Sequence, residues 1–458
     1  MSLILSYLLK KSPRLSGFKK KLAESPIAYR LAKGAFWSLT GAIISRSFAL
    51  LASILVARML GKIGFGELAI IQSTVGLFGV FAGFGMGLTA TKYVAELRFK
   101  DPVKAGRIMA LSSLVAIVTG GLMAMFLVIF APWLAKYTLA APHLSNILQI
   151  SAGLLFLGAL NGVQTGALSG FESFRTIARV NIWAGLANFP FIVGGAYLAG
   201  LKGAVLGLVA SMCVNWLLNH FALRAAALKS NVPFNYHGCM REWKILWNFS
   251  LPAVMAGVMV GPVNWVCNAM LVNQPNGYAE MGVFNAANQW FSALMFLPIV
   301  VGQAVLPILS ERIGSNDKTH SGKILALSIK INALFVLPLI IAGCLLSPYI
   351  MQLYGASFRE AWPTLVVVLF TAGLLAIQTP VGHVIAASGR MWVGFSLNIL
   401  WGLTFIGMTI YMLKWGALGL ATARLSAYLL HLLTVGFFTW VLLTKRINIY
   451  KLNSSKTL

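Results

Sequence analysis

Long apolar stretches separated by short polar ones recur along the whole chain. Twelve of these stretches each approach the roughly 20 residues that an α-helix needs to cross about 30 Å of hydrocarbon. They lie at 36–60, 68–92, 108–131, 147–170, 180–199, 204–227, 246–272, 282–309, 325–347, 364–387, 391–412 and 417–443. The pattern therefore predicts an all-α integral membrane protein of about 12 transmembrane helices, with loops too short to hold a catalytic domain.

The charged residues are few and strongly basic. They make up 10% of the chain, hydrophobic residues make up 59%, and the formal net charge is +26. If the N-terminus lies inside, 28 of the 36 Lys and Arg residues fall in inner segments and 6 in outer loops. Basic residues concentrate on the cytoplasmic side of membrane proteins, so this charge predicts topology rather than a nucleic-acid partner. We expect a multi-pass membrane protein, in contact with lipids and with both termini cytoplasmic.

The chain divides into two halves with weak internal similarity. The residues around Gly203 resemble those around Gly416, Ser169-Gly170 resembles Ser388-Gly389, and Gly66 matches Gly282, at offsets of 213, 219 and 216 positions. Two six-helix lobes related by a pseudo-twofold axis along the membrane normal would enclose a central cavity. The predicted parts are a basic N-terminal segment 1–34, lobes 35–227 and 246–443, a cytoplasmic linker 228–245 and a cytoplasmic tail 444–458.

Two arginines lie inside predicted spans, where a charge costs about 2.5–3.5 kcal/mol and needs a cavity or a partner. Arg46 is near the middle of the first span, and Arg424 is about two turns into the twelfth, with Tyr428 and His431 on the same helical face. All ten acidic residues lie outside the apolar centres. Buried cations without buried anions suit an anionic substrate, and the planar fork of arginine suits a phosphate. Pairing with backbone carbonyls is the alternative for the arginines, and simple packing is the alternative for the histidine.

Uncharged polar side chains form stripes on three other predicted spans. The stripes are Asn285, Asn288, Gln289 and Ser292 on the eighth span, Asn264 and Asn268 on the seventh, and Asn161 and Thr165 on the fourth. Amides and hydroxyls can bind a sugar, and they can equally join helices at about 0.6 kcal/mol per contact. The sequence leaves both roles open.

No motif for enzymatic chemistry stands out. The four cysteines are far apart and have neither metal-ligand spacing nor a disulfide framework. A nucleophile elbow, a phosphate-binding loop and zinc spacing are likewise missing from the sequence. We therefore expect no catalytic residues, no metal and no cofactor. Coupling to H⁺, Na⁺ or the membrane potential stays open at this point.

Three segments in the first two spans carry a family resemblance. They are Leu55-Val56-Ala57-Arg58-Met59-Leu60-Gly61, Gly64-Phe65-Gly66-Glu67, and the run from Phe84 to Val94. They resemble Wzx-type lipid-linked oligosaccharide flippases of the multidrug/oligosaccharidyl-lipid/polysaccharide exporter superfamily. The motifs cover about the first hundred residues, while the number of spans and the twin halves agree over nearly the whole chain.

The resemblance implies an alternating-access transporter that moves undecaprenyl-pyrophosphate-linked glycans, such as O-antigen units, to the periplasmic leaflet. Arg46 matches a basic position that such proteins often have in their first helix, whereas the role of Arg424 depends on its depth in the membrane alone. A polysaccharide polymerase and a chain-length regulator are the protein partners that the resemblance suggests.

Three other functions stay open. A drug or cation antiporter of the same superfamily would need acidic residues that the spans lack. A membrane glycosyltransferase or glycan polymerase would need a long outer loop with carboxylates. A scaffold for glycan assembly would leave Arg46 and Arg424 unexplained.

Overall fold

The computed structural model describes residues 26–234, 236–251, 254–255, 258–314, 318–388 and 390–444, and helices dominate this part of the chain. The α-helices are α1 Pro26–Gly83, α2 Met86–Leu97, α3 Pro102–Trp133, α4 Ser145–Gly170, α5 Phe174–Lys229, α6 Val260–Val272, α7 Gly277–Leu294, α8 Phe296–Gly314, α9 Lys318–Leu345, α10 Ser347–Gln352, α11 Trp362–Ala387, α12 Met391–Met412 and α13 Gly416–Thr444. Short 3₁₀ or π turns occupy Leu134–Thr138, Pro142–Leu144, Cys239–Glu242, Leu246–Ser250, Ala356–Ala361 and Leu413–Trp415. The predicted all-α membrane fold is confirmed.

Three helical stretches each contain two predicted spans. Gly41–Gly83, Phe174–Lys229 and Trp392–Leu442 run for 43, 56 and 51 residues, more than one crossing requires. Each reverses beside a glycine in the left-handed region, with φ of 67° at Gly61, 57° at Gly200 and 59° at Gly416. Glycine adopts this conformation without steric cost, so tight reversals replace the loops expected from the sequence.

Three predicted spans differ from the structure. The second, at 68–92, is broken between the end of α1 at Gly83 and the start of α2 at Met86. The eighth, at 282–309, consists of α7 and α8, which meet at Met295. Pro298 lacks the N–H that would bond to the carbonyl of Leu294, and this weakens the helix at that point. The seventh, at 246–272, begins as the π turn Leu246–Ser250, has Leu251, Val254 and Met255 helical among its described residues, and ends as α6.

The helices form two lobes. We call helices α1 to α5 the N-lobe and helices α6 to α13 the C-lobe. One apolar core cluster, around Met86, Ala167 and Leu223, lies within the N-lobe. A larger cluster includes Phe65 of the N-lobe and Phe405 of the C-lobe, so the two lobes share a core.

That shared core lies toward the end of the molecule where the chain reverses at Gly61, Gly200 and Gly416, which we call the sealed end. Three hydrogen bonds cross between the lobes there. Arg58 Nε donates to the Leu353 carbonyl at 2.6 Å, the Tyr278 hydroxyl to the Leu139 carbonyl at 2.6 Å, and Asn273 Nδ2 to the Thr138 carbonyl at 2.8 Å. These bonds hold the lobes together at the sealed end.

At the opposite end, the segment between the lobes packs on the N-lobe. Val232 and Cys239 in that segment are each only 3% exposed. A Cβ atom at Gly106 of α3 would lie 1.8 Å from the Pro233 carbonyl oxygen, so the backbones are in direct contact. The described contacts between lobes at this end include a hydrogen bond of 2.8 Å between the hydroxyls of Thr89 and Ser250.

The division of the chain into domains 35–227 and 246–443 stays a prediction. The assignments of 1–34 as a basic N-terminal segment, 228–245 as a linker and 444–458 as a tail also stay predictions.

Candidate functional site

A cavity of about 390 Å³ lies where the two lobes meet. The N-lobe contributes Gln72 and Ser73 from α1 to its wall. The C-lobe contributes seven of the residues singled out in the sequence, namely Asn264, Asn268, Asn285, Asn288, Gln289, Ser292 and Arg424. They come together because α6, α7 and α13 each present one polar face to this cavity. Its volume falls in the range of about 300–1,000 Å³ typical of small-molecule sites.

Arg424 is the cation of this cavity. Only 8% of the residue is exposed, and its Nη1 donates a hydrogen bond of 2.7 Å to Asn288 Oδ1. Its guanidinium lies 4.0 Å from the ring centroid of Phe291 and 5.9 Å from that of Tyr428. Nε has no hydrogen-bond partner among the described residues. A buried guanidinium held by an amide and aromatic faces keeps its charge available to an anion.

Arg46 joins the lobes next to the cavity. Its Nη1 donates a hydrogen bond of 2.8 Å to the carbonyl oxygen of Ser292, and its guanidinium lies 4.5 Å from the ring centroid of Phe296. The Ser292 carbonyl is in the last turn of α7, at the negative end of that helix dipole. The backbone-carbonyl pairing considered for this arginine is therefore present, and an anion would have to compete with it.

The other predicted residues have different surroundings. Tyr428 packs behind Arg424, with its ring 5.3 Å from that of Trp401. His431 shares a hydrogen bond with Gln378 of α11. Asn161 is 7% exposed, donates to the Met212 carbonyl at 3.3 Å and accepts from Asn219 at 3.1 Å. Tyr428 therefore packs beside Arg424, while His431 and Asn161 make contacts between helices, and the predicted binding roles of these residues stay predictions.

The acidic residues of the described part lie away from the cavity wall. Glu67 pairs with His143 at 2.6 Å, Glu172 with Arg98 at 2.6 Å and Glu242 with Arg107 at 3.3 Å. Glu280 accepts a hydrogen bond of 2.7 Å from the backbone N–H of Ala417. The described chain also contains no group of three or more His, Cys, Asp or Glu residues placed to hold a metal ion. The chemistry of the cavity is thus cationic and amide-rich.

Sequence reasoning missed the N-lobe part of the polar surface. Gln72 lines the central cavity, and Asn181, Asn188 and Asn215 line a neighbouring cavity of about 370 Å³. The sequence did contain a signal for this polar surface, because Asn181 and Asn188 are seven residues apart and so share one helical face. The pairing of α1 with both segments of α5 was needed to bring Gln72 to them.

Two lobes of membrane-spanning helices around a polar, cationic cavity define a membrane transporter fold. The model of the family described as "Polysaccharide biosynthesis protein" matches residues 31–312, more than half of the chain, and the chain belongs to this family. A second model, MatE, matches residues 252–403.

Comparison with individual proteins agrees with this family. The EPS I polysaccharide export inner membrane protein EpsE of Ralstonia nicotianae is 23% identical over 424 residues, covering 89% of this chain and 94% of that protein. Lipid III flippase of Escherichia coli K12 is 24% identical over 324 residues, covering 68% of this chain and 73% of that protein.

Among solved structures, the chain is similar to an inward-facing multidrug resistance MATE family transporter of the MOP superfamily. The TM-score is 0.73 at 14% sequence identity, with 89% of this chain and 98% of the other covered. At this identity the likeness establishes the fold alone, and it agrees with the two-lobed architecture inferred from the sequence.

Proposed function

We propose that this protein is a flippase that moves an undecaprenyl-pyrophosphate-linked oligosaccharide from the cytoplasmic to the periplasmic leaflet by alternating access. The observation that carries the proposal is the buried Arg424, held by Asn288 and Phe291 in a cavity between the lobes and paired with no carboxylate in the described chain. The family and the named activities of the relatives support it. These relatives are exporters and a flippase rather than enzymes.

In this proposal the pyrophosphate binds Arg424 and then Arg46. Arg424 lines the cavity, and each of the two arginines uses only Nη1 in its hydrogen bond to a described residue, which leaves other N–H groups for phosphate oxygens. Charge-assisted hydrogen bonds from two guanidinium groups are well matched to a pyrophosphate. The polyprenyl chain stays in the lipid beside the lobes throughout.

We assign the sealed end to the periplasmic side, because the basic residues favour the opposite end as cytoplasmic. The cavity would then receive its substrate from the cytoplasm. An inside-negative potential favours outward movement of an anion by about 2.3 kcal/mol per charge per 100 mV. Membrane potential is therefore our proposed driving force. A polysaccharide polymerase and a chain-length regulator remain the proposed protein partners.

A cation antiporter is the main competing function within this fold. Binding of a cation calls for a carboxylate in the cavity, and the walls of the central cavity in the described chain carry Arg424 and amides instead. The cavity therefore favours an anionic substrate.

The test is deletion of the gene followed by complementation. We expect deletion to leave a lipid-linked glycan on the cytoplasmic leaflet and to remove the surface glycan. Arg424→Gln and Arg46→Gln, expressed at wild-type level, should restore little of it, while Arg359→Gln, an exposed arginine at the sealed end, should restore it fully. Full restoration by both cavity variants would refute the site, and unchanged glycans after deletion would refute the function.

A further inference from the structure

A second polar cavity lies inside the N-lobe, between α1 and the two segments of α5. Its volume is about 370 Å³. Six polar side chains line it, and we call this set the amide pocket: Ser45, Gln72, Asn181, Asn188, Ser211 and Asn215. No charged residue belongs to its wall in the described chain.

Most amides of this pocket lack protein partners. The side chains of Gln72, Asn181 and Asn188 form no hydrogen bond with any residue that the structure describes. Asn215 accepts one from Asn219 Nδ2 at 3.0 Å. Each amide carries two donors and an acceptor with two lone pairs, and these groups face a cavity in which a ligand can reach them. The pocket is therefore suited to a ligand that is rich in hydroxyl groups.

Three of the five amides on the C-lobe side have protein partners. Asn264 donates to the Val260 carbonyl at 2.7 Å, Asn268 to Ser73 Oγ at 3.0 Å, and Asn288 accepts from Arg424 at 2.7 Å. The other two, Asn285 and Gln289, form no hydrogen bond with any residue that the structure describes. Unpaired amides therefore lie on both sides of the lobe interface, three in the N-lobe and two in the C-lobe.

The amide pocket adjoins the arginine cavity. Gln72 lines both of them, and it also lines a third cavity of about 250 Å³ that contains Asn188 of the N-lobe with Asn285 and Gln289 of the C-lobe. A group attached to an anion at Arg424 would therefore have a polar route across the lobe interface into the amide pocket.

We infer that the amide pocket is a subsite for uncharged sugar residues of the glycan, next to the pyrophosphate at Arg424. The inference rests on the proposed flippase function and adds a division of labour between the lobes. The C-lobe arginine binds the charged linkage that every such substrate shares, and the N-lobe amides bind sugar hydroxyls. Because the pocket wall carries no cation, it offers no particular advantage to an acidic sugar.

The experiment uses the purified full-length chain in lipid nanodiscs and two probes. One probe is undecaprenyl pyrophosphate, and the other is the same lipid carrying a single N-acetylglucosamine. We expect the wild type to bind the sugar-bearing probe about tenfold more tightly. Asn188→Leu should reduce the ratio of the affinities for the two probes to near one, while it leaves the affinity for undecaprenyl pyrophosphate unchanged. Asn188→Ser removes the amide but keeps a polar group, so it should also lower this ratio. It serves as the test if the leucine variant fails to fold.

Asn332→Leu is the matched control, because it makes the same substitution at an amide that donates to the Ala376 carbonyl and lines neither cavity. It should keep the wild-type ratio. Arg424→Gln should lose affinity for both probes. Equal binding of the two probes by the wild type, or an undiminished ratio in Asn188→Leu, would overturn the sugar subsite and leave the flippase proposal standing. Failure of the wild type to bind either probe would overturn both.

Discussion

Gly66 of α1 and Gly282 of α7 pack against each other at the sealed end. A Cβ atom at Gly66 would lie 1.8 Å from the Tyr278 carbonyl oxygen, and one at Gly282 would lie 2.1 Å from the Lys62 carbonyl oxygen. The same two glycines are a matched pair in the sequence, 216 positions apart. Residues related by a twofold axis can touch only beside that axis, so this contact marks where the pseudo-twofold axis passes through the sealed end.

We predict that Gly66→Ala separates the lobes at the sealed end and reduces transport. The added methyl group meets backbone atoms, which cannot move aside as a side chain would. In a background without native cysteines, spin labels at Lys202→Cys and Lys414→Cys should report a longer distance between the lobes. Gly76→Ala, on the same helix with open space around its Cβ, should leave the distance unchanged. Equal distances in the Gly66 variant and the wild type would refute this role of the contact.

The aromatic support of Arg424 gives a second prediction. Phe291→Leu removes a ring whose centroid lies 4.0 Å from the guanidinium, a contact worth about 0.5–2 kcal/mol. The Kd for undecaprenyl pyrophosphate should rise by about 2- to 30-fold. Tyr428→Phe keeps its ring and should have little effect on that Kd. An unchanged Kd in Phe291→Leu would show that the ring does not orient the cation.

Asn161 distinguishes a packing role from a binding role. Its amide joins α4 to the second segment of α5 through Met212 and Asn219. Asn161→Leu should lower the free energy of unfolding by about 0.6–1.7 kcal/mol, the range for polar contacts between membrane helices. Thermal unfolding in detergent measures this loss, and the affinity for undecaprenyl pyrophosphate should stay constant. A normal melting temperature together with weaker lipid binding would instead support a role of Asn161 in substrate binding.

Glu280 has a structural role that can be tested separately. Its carboxylate accepts a hydrogen bond of 2.7 Å from Ala417 N–H at the start of α13, where a negative charge is favourable. Glu280→Gln should reduce stability by about 0.5–2 kcal/mol through the lost charge. Glu360→Gln, at an exposed site, is the control in the same thermal unfolding assay. If the two variants melt at the same temperature, the carboxylate does not stabilise the helix start.

Apolar run length was sufficient to find the helices, because each span must be apolar wherever it meets lipid. It could not locate the sharp reversals at Gly61 and Gly200, where the helical stretch runs on with only one or two residues out of helical geometry. Apolar run length also did not predict the break between α7 and α8 at Met295, although Pro298 is a local signal for such a break.

The sequence predicted those parts of the site whose residues share one face of a single helix. Asn285, Asn288 and Gln289 share one face of α7, and the structure brings them to one cavity. The depth of Arg424 in its span was also informative. The link from Gln72 to Asn188 depends on tertiary packing between α1 and α5, and no periodicity within one helix can reveal it.

The Gly66 and Gly282 contact also bears on how the transporter responds to its surroundings. At the axis itself the lobes meet through backbone atoms, and no ion pair between described residues lies at this contact. Dissolved salt should weaken the charged hydrogen bond from Arg58 to the Leu353 carbonyl nearby. The glycine contact should hold its strength as the ionic strength of the medium changes.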